Sequence, residues 1–140
     1  MIVLDASAAL DFLLRDEASF DWIEQRLRKG GQAAAPHLLD TEVAHVLRKH
    51  VLGRRLEEGR AAEALADLSM LPLDRYPARP LLPRIWELRH NLSAYDATYV
   101  ALAEALGVVL ITSERRLLEL PAPASPARIE SRHGTRTIRA

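Results

Sequence analysis

Short, wholly apolar segments alternate with helical patterns along this chain, and this alternation restricts its fold more than any other feature. Residues 2–4 (Ile-Val-Leu) and 108–112 (Val-Val-Leu-Ile-Thr) are apolar runs of strand type. Strands buried on both faces have this composition when helices cover a parallel sheet from either side. The alternation therefore predicts an α/β sandwich around a mostly parallel central sheet.

Helical patterns fill most of the remaining chain, and its 140 residues fit one domain, 1–140. Helices are predicted at 6–14, 19–28, 38–52, 56–71, 81–90, 93–106 and 115–120. An extended piece is expected at 33–36, and the prolines within 72–83 predict a loop or a short edge strand. For residues 121–140 we expect a linker at 121–126, a last strand at 128–131 and a basic, disordered end.

The composition narrows the classes of function. The sequence contains no cysteine, which excludes disulfides and thiolate chemistry and favours a reducing cytoplasm. No apolar run reaches the roughly 18 residues that span a bilayer, and no basic segment of signal-peptide type opens the chain. The net charge is zero, so the protein as a whole should not attract nucleic acid by bulk electrostatics.

Two acidic residues follow predicted strands. Asp5 comes directly after the first strand, and Glu114 comes just past the run at 108–112. In α/β folds, ligands bind at the carboxyl ends of the strands. Both residues also have a structural interpretation, because Asp5 could cap a helix and Glu114, after a capping Ser113, would face a helix dipole.

Two more acids lie on apolar helix faces. Asp96 shares a face with Tyr99 and Val100, and a carboxylate there is costly unless it has a partner. Ser93 precedes Asp96 by three residues, which also matches a capping box. Glu42 lies at the edge of the apolar face of helix 38–52, where an arginine partner would satisfy it.

Taken together, four acids from separate parts of the chain are predicted to meet at one edge of the sheet. Clustered carboxylates repel and raise one another's pKa unless a cation joins them. Oxygen ligands in this number suit Mg²⁺ or Mn²⁺. Such ions orient phosphate oxygens, activate water and stabilise a leaving oxygen, so the implied chemistry is phosphodiester hydrolysis.

Four segments carry a resemblance to a known family: MIVLDASAAL, PHLLDTEVAHVLRKH, NLSAYDATYVALAEAL and VLITSERRL. In this order and spacing, over roughly residues 1 to 120, they resemble PIN-domain ribonucleases, specifically toxins of the VapC type. The resemblance implies a three-layer α/β fold with an acidic pocket that holds Mg²⁺ or Mn²⁺. It also implies endonucleolytic cleavage of RNA, a homodimer, and silencing by a small antitoxin protein.

The resemblance extends to individual site residues. Asp5, Glu42 and Asp96 match the family's three acids, and the fourth, usually an aspartate after the last core strand, is Glu114 here. The implied catalytic and metal-binding set is therefore Asp5, Glu42, Asp96 and Glu114. Auxiliary roles are expected for Ser7, Thr112 and Ser113, and RNA contacts for Arg115, Arg116 and the arginines near the C-terminus.

Other interpretations need different residues. A receiver-like signalling domain needs a lysine after a late strand, and neither Lys29 nor Lys49 has that position. A haloacid-dehalogenase-type phosphatase needs Asp-x-Asp after the first strand, where this chain has Asp-Ala-Ser. The alternative that stays open is a catalytically weak or inactive PIN-like module that binds RNA or protein, and the departure at Glu114 is what keeps it open. Metal-dependent turnover distinguishes the enzyme from this module.

Overall fold

The computed structural model of the chain describes residues 1–119 and 127–137. Its strands are β1 (Ile2–Leu4), β2 (Ala33–Pro36), β3 (Leu73–Tyr76), β4 (Val109–Ile111), β5 (Arg128–Ser131) and β6 (Gly134–Thr137). These described strands form one six-stranded sheet in the order β3-β2-β1-β4-β5-β6. The first five run parallel and β6 is antiparallel to β5, so the predicted mostly parallel sheet is confirmed.

Helices cover both faces of this sheet. They are α1 (Ala6–Leu13), α2 (Phe20–Gly30), α3 (Leu38–Leu52), α4 (Glu58–Met70), α5 (Leu82–Glu87), α6 (Ala94–Leu106) and α7 (Arg116–Glu119). The α1–α4 helices pack on one another, while α6 packs across β1, β2 and β4 with α5 beside it. Right-handed crossovers place these two groups on opposite faces, which gives the predicted three-layer α/β fold.

The direction of winding reverses beside β1. The chain runs from β1 to β2 and β3 on one side, and then returns through α5 and α6 to β4 on the other. In this register Leu4 lies beside Ile111, and the backbone N–H of Asp5 donates to the Ile111 carbonyl at 3.1 Å. The carboxyl ends of β1 and β4 therefore flank a topological switch point, where α/β sheets form their crevice.

The central strands are apolar because both of their faces are covered. Val3, Leu4, Leu110 and Ile111 are fully buried, as are most of the residues that α6 turns towards them. The α6 helix ends at Gly107, whose φ of 65° is left-handed and therefore favours glycine. Among the described residues, no helix is long and apolar enough to cross a membrane.

The C-terminal part of the chain differs from the prediction. The strand expected at 128–131 is present as β5, but residues 134–137, expected to be disordered, form β6 instead. Gly134, with a φ of 148°, follows the two-residue turn of this hairpin, and the threonines after it suit a strand. The linker predicted at 121–126 lies outside the described residues.

The last helix also begins later than expected. It starts at Arg116, so Ser113 does not cap it, and Glu114 lies before the helix rather than in its first turn. The backbone N–H of Leu117 donates to the Glu114 carbonyl, which shows that Glu114 belongs to the turn leading into α7. This turn places the Glu114 side chain beside the end of β4.

Candidate active site

Asp5 is a buried carboxylate at the junction of β1 and α1. Its Oδ1 accepts hydrogen bonds from the Ala8 backbone N–H at 2.9 Å and the Ser7 hydroxyl at 2.7 Å, so it caps α1. Only 5% of the residue is exposed. Burial raises the pKa of Asp5 to about 7, although hydrogen bonds from Thr112, Ala8 and Ser7 oppose this rise. Helix capping alone would not require the Asp5 carboxylate to be buried, where its charge is costly.

Hydroxyl groups connect the end of β1 to the end of β4. The Ser7 and Thr112 hydroxyl oxygens lie 3.2 Å apart, and Thr112 is fully buried. The backbone N–H of Ser113 donates to Ser7 Oγ at 3.0 Å, and that of Glu114 donates to Thr112 Oγ1 at 3.0 Å. Ser7 and Thr112 thus act through their side chains, whereas the contact from Ser113 is made by its backbone. The network holds Glu114 close to Asp5.

Glu42 reaches the same edge of the sheet from the second turn of α3. Its Oε1 accepts a hydrogen bond of 2.7 Å from the Tyr99 hydroxyl, which α6 supplies from the opposite layer. Burial raises the pKa of Glu42, and the charges of Asp96 and Glu114 raise it further, while the Tyr99 hydrogen bond lowers it. Glu42 is therefore held by one buried hydroxyl beside two other acids.

Tyr99 was missing from the predicted site residues. It is 3% exposed, and burial together with its bond to Glu42 raises the pKa of its hydroxyl. A signal for it existed in the sequence, because Tyr99 lies one helical turn after Asp96 on the same face. What the pattern could not show is that its hydroxyl reaches a carboxylate on another helix.

Asp96 and Glu114 share one guanidinium nitrogen. Arg116 Nη2 donates to Asp96 Oδ2 at 2.7 Å and to Glu114 Oε2 at 2.9 Å, and these bonds raise the pKa of Arg116. The capping interaction predicted for Asp96 is also present, because its backbone N–H donates to Ser93 Oγ at 3.1 Å. Arg115 points elsewhere and pairs with Glu119 at 3.0 Å.

The structure brings all four predicted acids to one edge of the sheet at the switch point, and this group of carboxylates is the candidate acidic pocket. Glu114 raises the pKa of Asp5 through its charge, and Asp96 and Glu114 do the same to Glu42, so the carboxylates lie within electrostatic reach of one another. Clustered carboxylates repel one another unless a cation joins them, so the chemistry of this cluster suits a further cation beside Arg116.

The divalent metal that the resemblance implies needs several oxygen ligands close together. Within residues 1–119 and 127–137, no three Asp, Glu or His side chains are already close enough to enclose a metal ion. The chemistry of the donors nevertheless fits, since all are hard oxygens and Arg116 shows that two of them can share one cation. The buried Asp5 carboxylate, whose pKa is raised, is a group that a cation would stabilise.

Known proteins resemble this chain in sequence and in fold. The PIN domain family matches residues 2–123. Ribonuclease VapC9 of Mycobacterium tuberculosis is 42% identical over 132 residues, covering 94% of this chain and all of the relative. Ribonuclease VapC1 of the same organism is 45% identical over 129 residues, covering 91% of this chain and 95% of the relative.

Solved structures extend this similarity to the fold. PAE2754 from Pyrobaculum aerophilum has a TM-score of 0.62 at 27% identity, covering 84% of this chain and 76% of that one. A chain of VapBC2 from Rickettsia felis, bound to a DNA fragment, has a TM-score of 0.66 at 15% identity, covering 94% of this chain and 98% of that one. This chain belongs to the PIN-domain family and, within it, to the VapC ribonucleases.

Proposed function

We propose that this protein is a metal-dependent endoribonuclease toxin that a cognate antitoxin neutralises. One observation carries the proposal: four carboxylates converge at the switch point of a chain that is 42–45% identical to named ribonucleases over more than nine tenths of its length. The relatives supply the reaction class, and the pocket supplies residues suited to it. Asp5, Glu42, Asp96 and Glu114 are the proposed ligands of Mg²⁺ or Mn²⁺.

The residues of the pocket have distinct roles in this proposal. A divalent ion held there supplies the activated water and the charge stabilisation that phosphodiester hydrolysis needs. Asp5 presents a carboxylate from a buried position, and the hydroxyls of Ser7 and Thr112 hold Asp5 and the Glu114 turn together. Tyr99 orients Glu42 by its hydrogen bond. Ser113 supports this arrangement with its backbone N–H.

RNA would reach the pocket along the edge that carries the β5–β6 turn. The Thr112 backbone N–H donates to the Glu130 carbonyl at 3.0 Å, so the turn at 132–133 follows at the same edge as the acids. Arg136 donates to the Leu118 carbonyl at 2.7 Å, which fastens the hairpin to α7. Together with Arg115 before α7 and Arg116 at its start, the exposed Arg132 and His133 are the proposed phosphate contacts.

Arg132→Gln should weaken RNA binding by roughly threefold to tenfold and raise KM more than it changes kcat, because a phosphate contact is lost far from the reacting atoms. The slope of log affinity against log salt should fall by about 0.7 for single-stranded RNA. Arg128→Gln is the matched control. Arg128 lies at the opposite end of β5, paired with Glu130, and its loss should leave KM unchanged. Equal effects of both substitutions would rule out the turn as an RNA contact.

Tyr99→Phe should reduce cleavage by about tenfold to a hundredfold, the usual cost of losing a residue that orients a metal ligand. The substitution removes only the hydroxyl that holds Glu42, so packing of the buried ring should persist. Apparent Mn²⁺ affinity, read from the metal dependence of the rate, should fall while the melting temperature changes little. Tyr76→Phe, on β3, is the matched control. A normal Mn²⁺ dependence in Tyr99→Phe would contradict a positioning role.

The proposal extends to the partner and the assembly. Solved structures similar in fold include VapBC from Salmonella typhimurium and a toxin–antitoxin complex from Klebsiella pneumoniae. We propose by analogy that this protein binds a small antitoxin, forms a homodimer, and consists of one domain over residues 1–140. The absence of cysteine supports the cytoplasm as its compartment.

The first experiment measures cleavage of a mixed RNA pool by the antitoxin-free protein with Mn²⁺ or Mg²⁺. Cleavage should occur with either ion, stop completely in EDTA, and return when metal is added in excess of the chelator. Mapping of the cut ends would then identify the target. If the antitoxin-free protein binds RNA but cuts none at any metal concentration, it is the catalytically weak or inactive binding module instead.

A further inference from the structure

One arginine nitrogen occupies the space between two of the proposed metal ligands. Arg116 Nη2 donates to carboxylate oxygens of both Asp96 and Glu114, at 2.7 and 2.9 Å. These acids come from α6 and from the turn after β4, so no local helical pairing accounts for their meeting. The cation that joins them in this structure is the chain's own guanidinium.

Arg116 can leave this position without disturbing the fold. Its side chain is 55% exposed, and it belongs to the first residue of a four-residue helix, α7. The buried residue of that helix is Leu117, at 2% exposure. The neighbouring Arg115 is more exposed, with 72% of its side chain accessible, and it pairs with Glu119 rather than with any of the four acids.

We propose that Arg116 competes with the divalent metal: its guanidinium neutralises Asp96 and Glu114 until the metal displaces it. This inference rests on the proposed function, because it concerns the ligands assigned there. Two carboxylates attract a cation most strongly when nothing else neutralises them. Arg116 in this position therefore lowers the affinity of the site for the metal. When the metal binds and displaces Arg116, its guanidinium becomes free at the edge where RNA phosphates are expected.

A role in positioning the ligands predicts a change in metal affinity of the opposite sign. If Arg116 merely held Asp96 and Glu114 in place for the metal, its removal would loosen both ligands and weaken metal binding. If it competes, its removal leaves two unneutralised carboxylates and strengthens metal binding. The direction of the change in metal affinity therefore separates the two roles, without any measurement of RNA cleavage.

The test is calorimetric titration of Mn²⁺ into the antitoxin-free, full-length protein. Arg116→Gln should bind Mn²⁺ about fivefold to tenfold more tightly than the unmodified chain, as expected from losing two ion pairs that solvent partly screens. Arg115→Gln, the matched control, should bind within about twofold of it, since Arg115 touches none of the acids. Arg116→Lys keeps the positive charge and should give an intermediate affinity.

Each result decides the proposal. Tighter binding by Arg116→Gln but not by Arg115→Gln supports competition. Unchanged or weaker binding by Arg116→Gln overturns it, as does an equal gain in both variants, which would reflect net charge alone. If none of the proteins binds Mn²⁺, competition is overturned together with the metal site. RNA cleavage that persists while Arg116→Gln shows no gain overturns the competition and leaves the proposed function standing.

Discussion

Asp96→Asn should reduce RNA cleavage by roughly a thousandfold or more while leaving the fold intact. Asparagine matches the shape of aspartate but removes the charge that a divalent ion needs from this ligand. The start of α6 should survive, because the bond that caps it runs from the backbone N–H of residue 96 to Ser93. The measurement is the single-turnover cleavage rate at saturating Mn²⁺, with a thermal melt to verify folding.

Asp67→Asn is the matched control for this substitution. Asp67 lies exposed on α4, outside the pocket, so its neutralisation changes the net charge equally without touching the proposed ligands. Its cleavage rate should stay within about twofold of the unmodified protein. An Asp96→Asn protein that retained a tenth of the normal rate would not be missing a metal ligand, and the site assignment would have to change.

Asp5→Asn should reduce cleavage by a factor similar to that for Asp96→Asn. Unlike Asp96→Asn, it should also stabilise the metal-free protein at pH 8. The pKa of Asp5 is raised from 3.8 to about 7 by burial. Between these two values the folded protein keeps a proton that the unfolded chain releases, so stability falls as the pH rises from about 4 to about 7. Above pH 7 the folded protein carries the full cost of a buried charge, at most about 4 kcal/mol.

Asparagine avoids that cost and retains an oxygen that can accept from Ala8 and Ser7. In EDTA at pH 8, the melting temperature of Asp5→Asn should exceed that of the unmodified protein by about 5 °C. The difference should shrink as the pH falls towards 4, because Asp5 is then protonated in the folded protein and no charge is buried. Added Mn²⁺ should raise the melting temperature of the unmodified protein more than that of the variant. A difference independent of pH would show that burial of the Asp5 charge is not its source.

Much of the arrangement of the four acids follows from local sequence. Asp5 and Glu114 directly follow apolar strands, and in a parallel sheet the ends of such strands lie at one edge. Local sequence was not enough to place Glu42 and Asp96 beside each other, because a helical pattern shows which face a residue occupies but not which helices meet. The resemblance to PIN-domain ribonucleases supplied that link, and the structure places the two carboxylates within electrostatic reach of each other.

Other features depended on contacts between distant segments. The β6 strand was missed because Arg132 and Arg136 make the chain end look like a solvated tail, whereas pairing with β5 satisfies its backbone. The helix expected from Arg115 onward begins at Arg116, since the Ser113 backbone N–H bonds to Ser7 of α1 and so holds the preceding turn. In both places, hydrogen bonding to another segment outweighed local composition.

The sequence by itself determined the α/β class, the order of the elements and the strand-end positions of Asp5 and Glu114, because apolar periodicity and strand direction are local properties. Only the tertiary structure decided that Tyr99 holds Glu42 and that Arg116 bridges Asp96 and Glu114. The members of each set come from elements far apart in the chain. Their meeting depends on how α3, α6 and α7 pack around the sheet, to within the reach of a hydrogen bond.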